Sequence, residues 1–186
     1  TSSSTFPGST KITGSIYVKA AAQSWVSLAV YSSSGSQGAR RWVNLTNGAV
    51  GTNGDFNNVV DPHFSVEDAG NGWYRIVAGM RSGGAGTFTM TVGLTDTDGQ
   101  LSYSAGSNYA SDQIYLWGGQ MELNLTTDHA HAQLAGEYEE TGATANPPIA
   151  APDGTQTADL FQRTATSGQY IHQYITKPTK SQTYTL

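Results

Sequence analysis

The chain has 186 residues, a net charge of −5 and no cysteine. Only nine residues are lysine or arginine, so the clustered cations that bind a nucleic-acid backbone are not expected. Without cysteine, a disulfide framework, a thiolate metal site and a cysteine nucleophile are excluded. No apolar run is long enough to span a membrane, and Thr1–Ser9 lacks the pattern of a signal peptide. We therefore expect neither nucleic acid nor membrane as a partner.

Alternation of apolar and polar residues predicts β-strands through most of the first 123 residues. Helical periodicity of useful length is absent, and turn signals recur at the spacing that is typical of an all-β sandwich. Asn47-Gly48 favours a tight turn, and Gly118-Gly119 favours a bulge or a sheet corner. The predicted strands are Ile12–Ala20, Trp25–Tyr31, Arg41–Leu45, Phe64–Val66, Trp73–Met80, Thr87–Thr95 and Gln113–Leu123. The fold class that these patterns predict is all-β, a two-sheet antiparallel β-sandwich.

The C-terminal part of the chain has a different organisation. Residues 135–153 are rich in glutamate, proline and small residues, which indicates a linker or a long surface loop. Alternation then returns in three short runs: Ala158–Phe161, Tyr170–Ile175 and Thr183–Leu186. We predict that residues 154–186 are strands that complete the sandwich whose body is residues 10–134.

A comparison of the two ends suggests how these strands arise. Lys177–Leu186 and Phe6–Tyr17 share an order of proline, polar turn and alternating strand. The simplest explanation is a tandem array in which residues 154–186 open the next repeat unit. Opening strands alone would leave sheet edges bare. They can be paired within residues 1–186 as a single sandwich, as in a circular permutant, or with a neighbouring repeat in a strand-swapped oligomer.

Several segments resemble a known family. They are SIYVKA (15–20), GNGWYR (70–75), FTMTVGL (88–94), SYSAG (102–106) and IYLWGGQMEL (114–123). These segments resemble the jelly-roll, carbohydrate-binding-module-like domains that are repeated in bacteriophage tail and structural proteins. Similar domains occur in secreted bacterial polysaccharide-degrading enzymes, close to carbohydrate-binding families four and nine. GEYEETGA (136–143) resembles the end of such a domain, whereas residues 151–162 and 170–186 resemble its start.

The resemblance implies a concanavalin-like jelly roll whose strand order is circularly permuted. It also implies a lectin-like role outside the cell or on a virion surface, with a polysaccharide or cell-surface glycan as partner. A structural calcium ion near the end of the sandwich is left open by the resemblance, with Asp112 and Asp153 as ligands. Asp96-Thr97-Asp98-Gly99 resembles a calcium loop only superficially, and a hairpin turn is the favoured interpretation. No other cofactor is expected.

Sugar binding needs flat, exposed aromatic faces with hydrogen-bonding side chains nearby. Some aromatic residues alternate with the aliphatic positions of their strands, and others lie in a polar loop. The candidate ligand-binding residues are Trp25, Trp42, Tyr31, Tyr17, Tyr103, Tyr109 and Asn108. The alternative is that these rings only cover a sheet surface. Trp73 and Trp117 are predicted to pack in the core.

Three functions stay open. The favoured one is a non-catalytic carbohydrate-binding module. The second is a structural or decoration repeat of a phage virion or tail fibre without a ligand site. The third, a glycan-cleaving enzyme, is least favoured because nearly all carboxylates fall in turns or in the linker, and no nucleophile-elbow motif is present.

Overall fold

The computed structural model describes residues 10–32, 37–82, 86–101, 113–124, 150–154, 158–162 and 170–177. These residues form ten β-strands and contain no helix, and therefore none that could span a membrane. The strands are β1 (Thr10–Ala20), β2 (Trp25–Ser32), β3 (Gly38–Asn44), β4 (Ala49–Asn53), β5 (Val60–Gly70), β6 (Trp73–Ser82), β7 (Gly86–Thr95), β8 (Gln113–Asn124), β9 (Asp159–Gln162) and β10 (Tyr170–Lys177).

Two five-stranded sheets make up the fold. Sheet A has the order β5-β6-β1-β8-β9, and sheet B has the order β10-β7-β2-β3-β4. Every neighbouring pair is antiparallel. The prediction of an all-β, two-sheet antiparallel sandwich with jelly-roll-like character is confirmed.

The core lies between the sheets and is built from the aliphatic positions of the alternating strands. In β2, Val26, Leu28 and Val30 are fully buried in one cluster with residues of β1, β6, β7 and β8. Gly14 of β1 lets the sheets approach closely, because a Cβ there would lie 2.7 Å from the Met90 Sδ atom of β7. Alternation therefore gives each sheet one face toward the core and one outer face.

Two predicted turns have the expected local geometry. Gly48 adopts a φ of +72° in the hairpin that joins β3 to β4. The pairing of β1 with β8 shifts register between Ser15 and Tyr17, next to Gly118, whose φ is +60°. The sequence analysis missed β4, because this five-residue edge strand exposes most of its side chains and so shows no apolar face.

The last two strands pair within the same chain. β9 joins the free side of β8, and β10 joins the free side of β7, so one strand closes an edge of each sheet. The interpretation of these strands as the opening of a further repeat unit stays a prediction. The predicted strand Thr183–Leu186 and most of the predicted 135–153 linker lie outside the described residues.

Candidate functional site

The outer face of sheet B has small side chains in its centre. In the pairing of β2 with β7, Ala29 lies beside Thr91 and Tyr31 lies beside Thr89, whereas Ser27 lies beside Gly93. Ser27, Ala29, Thr89 and Thr91 are nearly inaccessible to solvent although they face away from the core cluster. The centre of this face is therefore closed to solvent, and its partly exposed side chains lie toward the two ends of β2.

One end of this outer face carries a cluster of planar groups, which we call the platform and define as Tyr31, Arg40 and Phe56. The Tyr31 and Phe56 ring centroids are 6.4 Å apart with an interplanar angle of 51°. The Arg40 Cζ atom lies 5.4 Å from the Phe56 ring centroid, within the range of a cation–π contact. The platform therefore combines two half-buried aromatic rings with one guanidinium group.

Backbone pairing holds the platform in place. Phe56 forms an isolated antiparallel bridge with Gly38, opposite Tyr31 in the β2–β3 register. The absence of a side chain at Gly38 makes room for the Phe56 ring, because an added Cβ would overlap that ring and crowd the Tyr31 Cβ at 2.8 Å. Asp55 accepts a hydrogen bond of 3.0 Å from the Arg40 backbone N–H, which ties the loop after β4 to β3.

Trp42 shares this outer face, but the prediction that it is an exposed ligand-binding residue is wrong. Only 2% of its surface is exposed. Its ring packs against Gly54, where an added Cβ would overlap it, and its Nε1–H donates a 2.9 Å hydrogen bond to the Gln100 carbonyl. The segment that follows β7 covers the ring. The Trp42 ring is thus already covered by other parts of the protein.

Trp25 lies at the opposite end of this outer face from the platform. It stands six residues before Tyr31 in β2, a separation of about 20 Å along the strand. Trp25 is half-buried and pairs in register with Asn44 and Thr95. Nearby, Gln23 donates a hydrogen bond of 3.2 Å to Asp96, which fixes the turn after β7. Trp25 and Tyr31 are therefore the two predicted aromatic residues that this face brings to one partly accessible surface.

Tyr17 is separated from those residues by the whole sandwich. It lies on the outer face of sheet A, where its ring meets the Trp117 ring edge-on at a centroid distance of 5.2 Å. The Arg75 Cζ atom lies 6.0 Å from the Tyr17 ring centroid. The grouping of Tyr17 with Trp25 and Tyr31 as one site does not match this placement.

The two tryptophans that were expected in the core belong to this second cluster on sheet A. Trp73 is 1% exposed, which confirms that it is buried, but it packs against Ala151 and Ala158 rather than between the sheets. Its Nε1–H donates a 3.1 Å hydrogen bond to the Ala150 carbonyl. Trp117 is only partly buried. Residues 150–154 therefore dock on the outer face of sheet A.

Sheet A also carries a cluster of charged residues on its outer face. Asp61 accepts a 2.8 Å hydrogen bond from the Arg81 Nε–H and lies 3.9 Å from the Lys11 Nζ atom. The Arg81 hydrogen bond is the main reason that the pKa of Asp61 is lowered from its ordinary value. Beside it, the Thr13 hydroxyl and the His63 Nε2 atom are 3.0 Å apart. These groups link β5, the edge strand of sheet A, to β6 and β1, and they lie on the side of the sandwich away from the platform.

The remaining predicted site residues divide as follows. Tyr103, Asn108, Tyr109 and Asp112 lie outside the described residues. Asp153 is exposed in the segment that docks on sheet A, and within the described ranges no three His, Asp or Glu side chains gather as a metal site. In the 96–99 segment, Asp98 accepts hydrogen bonds from the Thr52 backbone N–H (2.7 Å) and hydroxyl (3.0 Å).

Sequence reasoning missed two members of the platform. Phe56 is a single aromatic residue in a polar stretch, and Arg40 opens a strand whose apolar pattern begins only at Trp42. Neither residue belongs to an alternating apolar pattern. In addition, the sequence analysis did not predict β4, which leads the chain from β3 to Phe56, so it gave no reason to place Phe56 beside β3. The Asn47-Gly48 hairpin was the available clue, since a tight turn implies that a returning strand follows it.

Sequence comparisons give no further assignment: no protein-family model matches the chain, and no curated protein matches it.

Proposed function

We propose that the chain is a non-catalytic carbohydrate-binding module whose ligand lies across the outer face of sheet B. The observation that carries the proposal is the platform, in which two partly exposed aromatic rings lie beside each other and a guanidinium group lies over one of them. Sugar rings stack on such aromatic faces through their C–H groups. Trp25 offers a second stacking position about 20 Å away.

The proposal is for binding without catalysis. Glycoside hydrolysis typically uses two carboxylates across the scissile bond, whereas the five strands of sheet B contain neither aspartate nor glutamate. The resemblance to jelly-roll modules of phage structural proteins and secreted enzymes supports the same interpretation and an extracellular or virion-surface location. A single shallow face binds weakly, and tandem copies would raise the avidity through effective concentration.

The proposal is tested by affinity electrophoresis and isothermal titration calorimetry against a panel of neutral and acidic polysaccharides. Tyr31→Ala and Tyr17→Ala form a matched pair, because both are half-buried tyrosines of central strands on opposite outer faces. We expect Tyr31→Ala to abolish most binding and Tyr17→Ala to retain it. The reverse result would move the site to sheet A, and a lack of binding to every glycan would refute the proposal.

The second candidate function, a structural repeat of a virion or fibre, is favoured by a different observation. β9 and β10 occupy one outer edge of each sheet, and each pairs with a single strand. The same pairings could form between copies if the strands were exchanged. Light scattering coupled to size-exclusion chromatography tests this function: a discrete dimer or ring is expected for strand exchange, and a monomer at all concentrations argues against it.

A further inference from the structure

Three asparagines of the chain are followed directly by glycine. The pairs are Asn47-Gly48, Asn53-Gly54 and Asn71-Gly72. Such a pair is chemically reactive, because a glycine has no side chain to hinder attack of its backbone nitrogen on the asparagine side chain. All three asparagines are exposed to solvent. Their reactivity in the folded protein therefore depends on how each turn holds the two reacting groups.

The first pair is fixed by the hairpin between β3 and β4. The Gly48 N–H donates a 2.8 Å hydrogen bond to the Asn44 carbonyl. The Asn47 Oδ1 atom accepts a 3.0 Å hydrogen bond from the Ala49 N–H. The Tyr74 ring also lies against Gly48, where an added Cβ would be 2.6 Å from a ring carbon. Both the attacking nitrogen and the side chain under attack are therefore held in place.

The second pair, at the end of β4, is fixed in the same way. The Gly54 N–H donates a 3.1 Å hydrogen bond to the Arg40 carbonyl. The Asn53 Oδ1 atom accepts a 2.9 Å hydrogen bond from the Asp55 N–H. The Trp42 ring covers Gly54, since an added Cβ there would overlap it. This pair too has neither reacting group free.

The third pair has none of these restraints. Asn71 and Gly72 form the two-residue loop between β5 and β6, with φ values of +53° and +77°, and both residues are exposed. Among the residues that the structure describes, nothing forms a hydrogen bond with the Gly72 N–H or with the Asn71 side chain. The nearest atom to an added Cβ at Gly72 is the Lys19 Cε atom, at 3.6 Å. The loop can therefore rearrange without breaking a contact of either reacting group.

We infer that Asn71 is a site of spontaneous deamidation in the folded protein, whereas the turns protect Asn47 and Asn53. The Gly72 nitrogen loses its proton to water and bonds to the Asn71 Cγ atom, and the Cγ–Nδ2 bond breaks. The Nδ2 group takes up a proton from water and leaves as ammonia, so that a cyclic succinimide remains. Water then opens the ring at one of its two carbonyls and leaves an aspartate or an isoaspartate at position 71. Overall, one water is consumed and one ammonia is released.

The reaction would alter the hairpin that ends the edge strand of sheet A. It adds a negative charge next to Asp68, whose Oδ1 atom accepts a 2.8 Å hydrogen bond from the Gly70 N–H. An isoaspartate also lengthens the backbone of a loop that holds Gly70 opposite Trp73. The inference is independent of glycan binding and goes beyond the proposed function.

The test incubates the intact chain at mildly alkaline pH, where the glycine nitrogen loses its proton more readily, and samples it over weeks. No lysine or arginine lies between positions 42 and 74, so a single tryptic peptide, residues 42–75, contains all three pairs. Mass spectrometry with fragmentation then measures the three rates in the same molecule. We expect Asn71 to react about tenfold or more faster than Asn47 or Asn53, because each of those pairs must first break two hydrogen bonds.

Two controls separate the effect of the fold from that of the sequence. In urea the protecting hydrogen bonds are lost, and the three rates should converge to within about threefold. Asn71→Gly removes the reacting side chain while glycine still adopts a positive φ, so the acidic product that ion-exchange chromatography detects should be abolished.

The outcomes decide the inference without any glycan. Equal rates in the folded protein, or a faster reaction at Asn47 or Asn53, would overturn it. An undiminished preference for Asn71 in urea would show that the turns do not protect the other two pairs, which also overturns it. A lack of glycan binding would refute the proposed function and leave this result unchanged.

Discussion

Trp42 and Trp25 lie on the same outer face of sheet B, and their truncation should have very different effects on the stability of the protein. Trp42 is 2% exposed, packs on Gly54 and donates a hydrogen bond to Gln100. Truncation of a buried tryptophan to alanine costs about 3–5 kcal/mol. In a 186-residue chain each kcal/mol lowers the melting temperature by about 2–4 °C, so Trp42→Ala should lower it by about 6–20 °C.

Trp25 is only half-buried, so it gains about half of the ~1.5–3 kcal/mol that full burial of a large apolar side chain provides. Trp25→Ala should therefore cost about 1 kcal/mol, and a drop of about 2–4 °C is expected. Trp42→Phe keeps most of the ring volume and loses the hydrogen bond to Gln100, so it should lower the free energy of unfolding by about 2 kcal/mol.

Urea and thermal unfolding followed by circular dichroism measure these differences, and glycan titration of the same variants separates stability from binding. Trp25→Ala should lose affinity while it stays folded, whereas Trp42→Ala should lose stability. Equal losses of stability at the two positions would show that the face is not built as described.

Three further predictions concern residues outside the platform. Thr95 has a buried hydroxyl without a hydrogen-bond partner in the described part of the chain, so Thr95→Val should be neutral or stabilise the protein by about 1 kcal/mol in urea unfolding. Ser27→Ala removes the 3.4 Å hydrogen bond from the Ser27 hydroxyl to the Gly93 carbonyl and should destabilise the protein slightly in the same titration. Arg81→Gln should raise the pKa of Asp61 toward its ordinary value, and NMR titration of the carboxyl group measures this change. Because the pKa of Asp61 is lowered in the folded state, its ion pair stabilises the folded protein above the unfolded-state pKa. This small contribution is lost as the pH falls through the folded-state pKa. Gly14→Ala should cost about 1–3 kcal/mol, since the new Cβ would lie 2.7 Å from a methionine sulfur of the facing sheet; an unchanged melting temperature would show that the sheets can separate locally at no cost.

The sequence predicts the sandwich well wherever one face of a strand is buried. β1, β2, β6 and β7 show alternation because the core selects every second residue, and their predicted and observed bounds differ by no more than two residues at either end. β4 shows no such selection, since it lies at an edge with both faces largely exposed. Periodicity reports burial, so strands without a buried face are invisible to it.

The candidate site is harder to predict, because alternation indicates which face of a strand a side chain lies on but not how far other segments bury it. Trp42 and Tyr31 are both opposite aliphatic positions of their strands, yet one is covered by Gly54 and Gln100 and the other is accessible. Tyr17 has the same pattern on the other sheet. Which of two sheets a strand joins, and which loop crosses it, depends on long-range pairing that a single strand does not encode.

The pairing order sets a constraint on synthesis. β1 lies between β6 and β8, about 60 and 100 residues later, and the far sides of β8 and β7 are covered only by strands that begin at Asp159 and Tyr170. Because the N-terminal end is synthesised first, β1, β7 and β8 have unpaired backbone amides until their later partner strands have been synthesised. Such non-local topologies fold slowly, on millisecond-to-second timescales. This strand order therefore favours aggregation of incompletely synthesised chains through their unpaired strand edges.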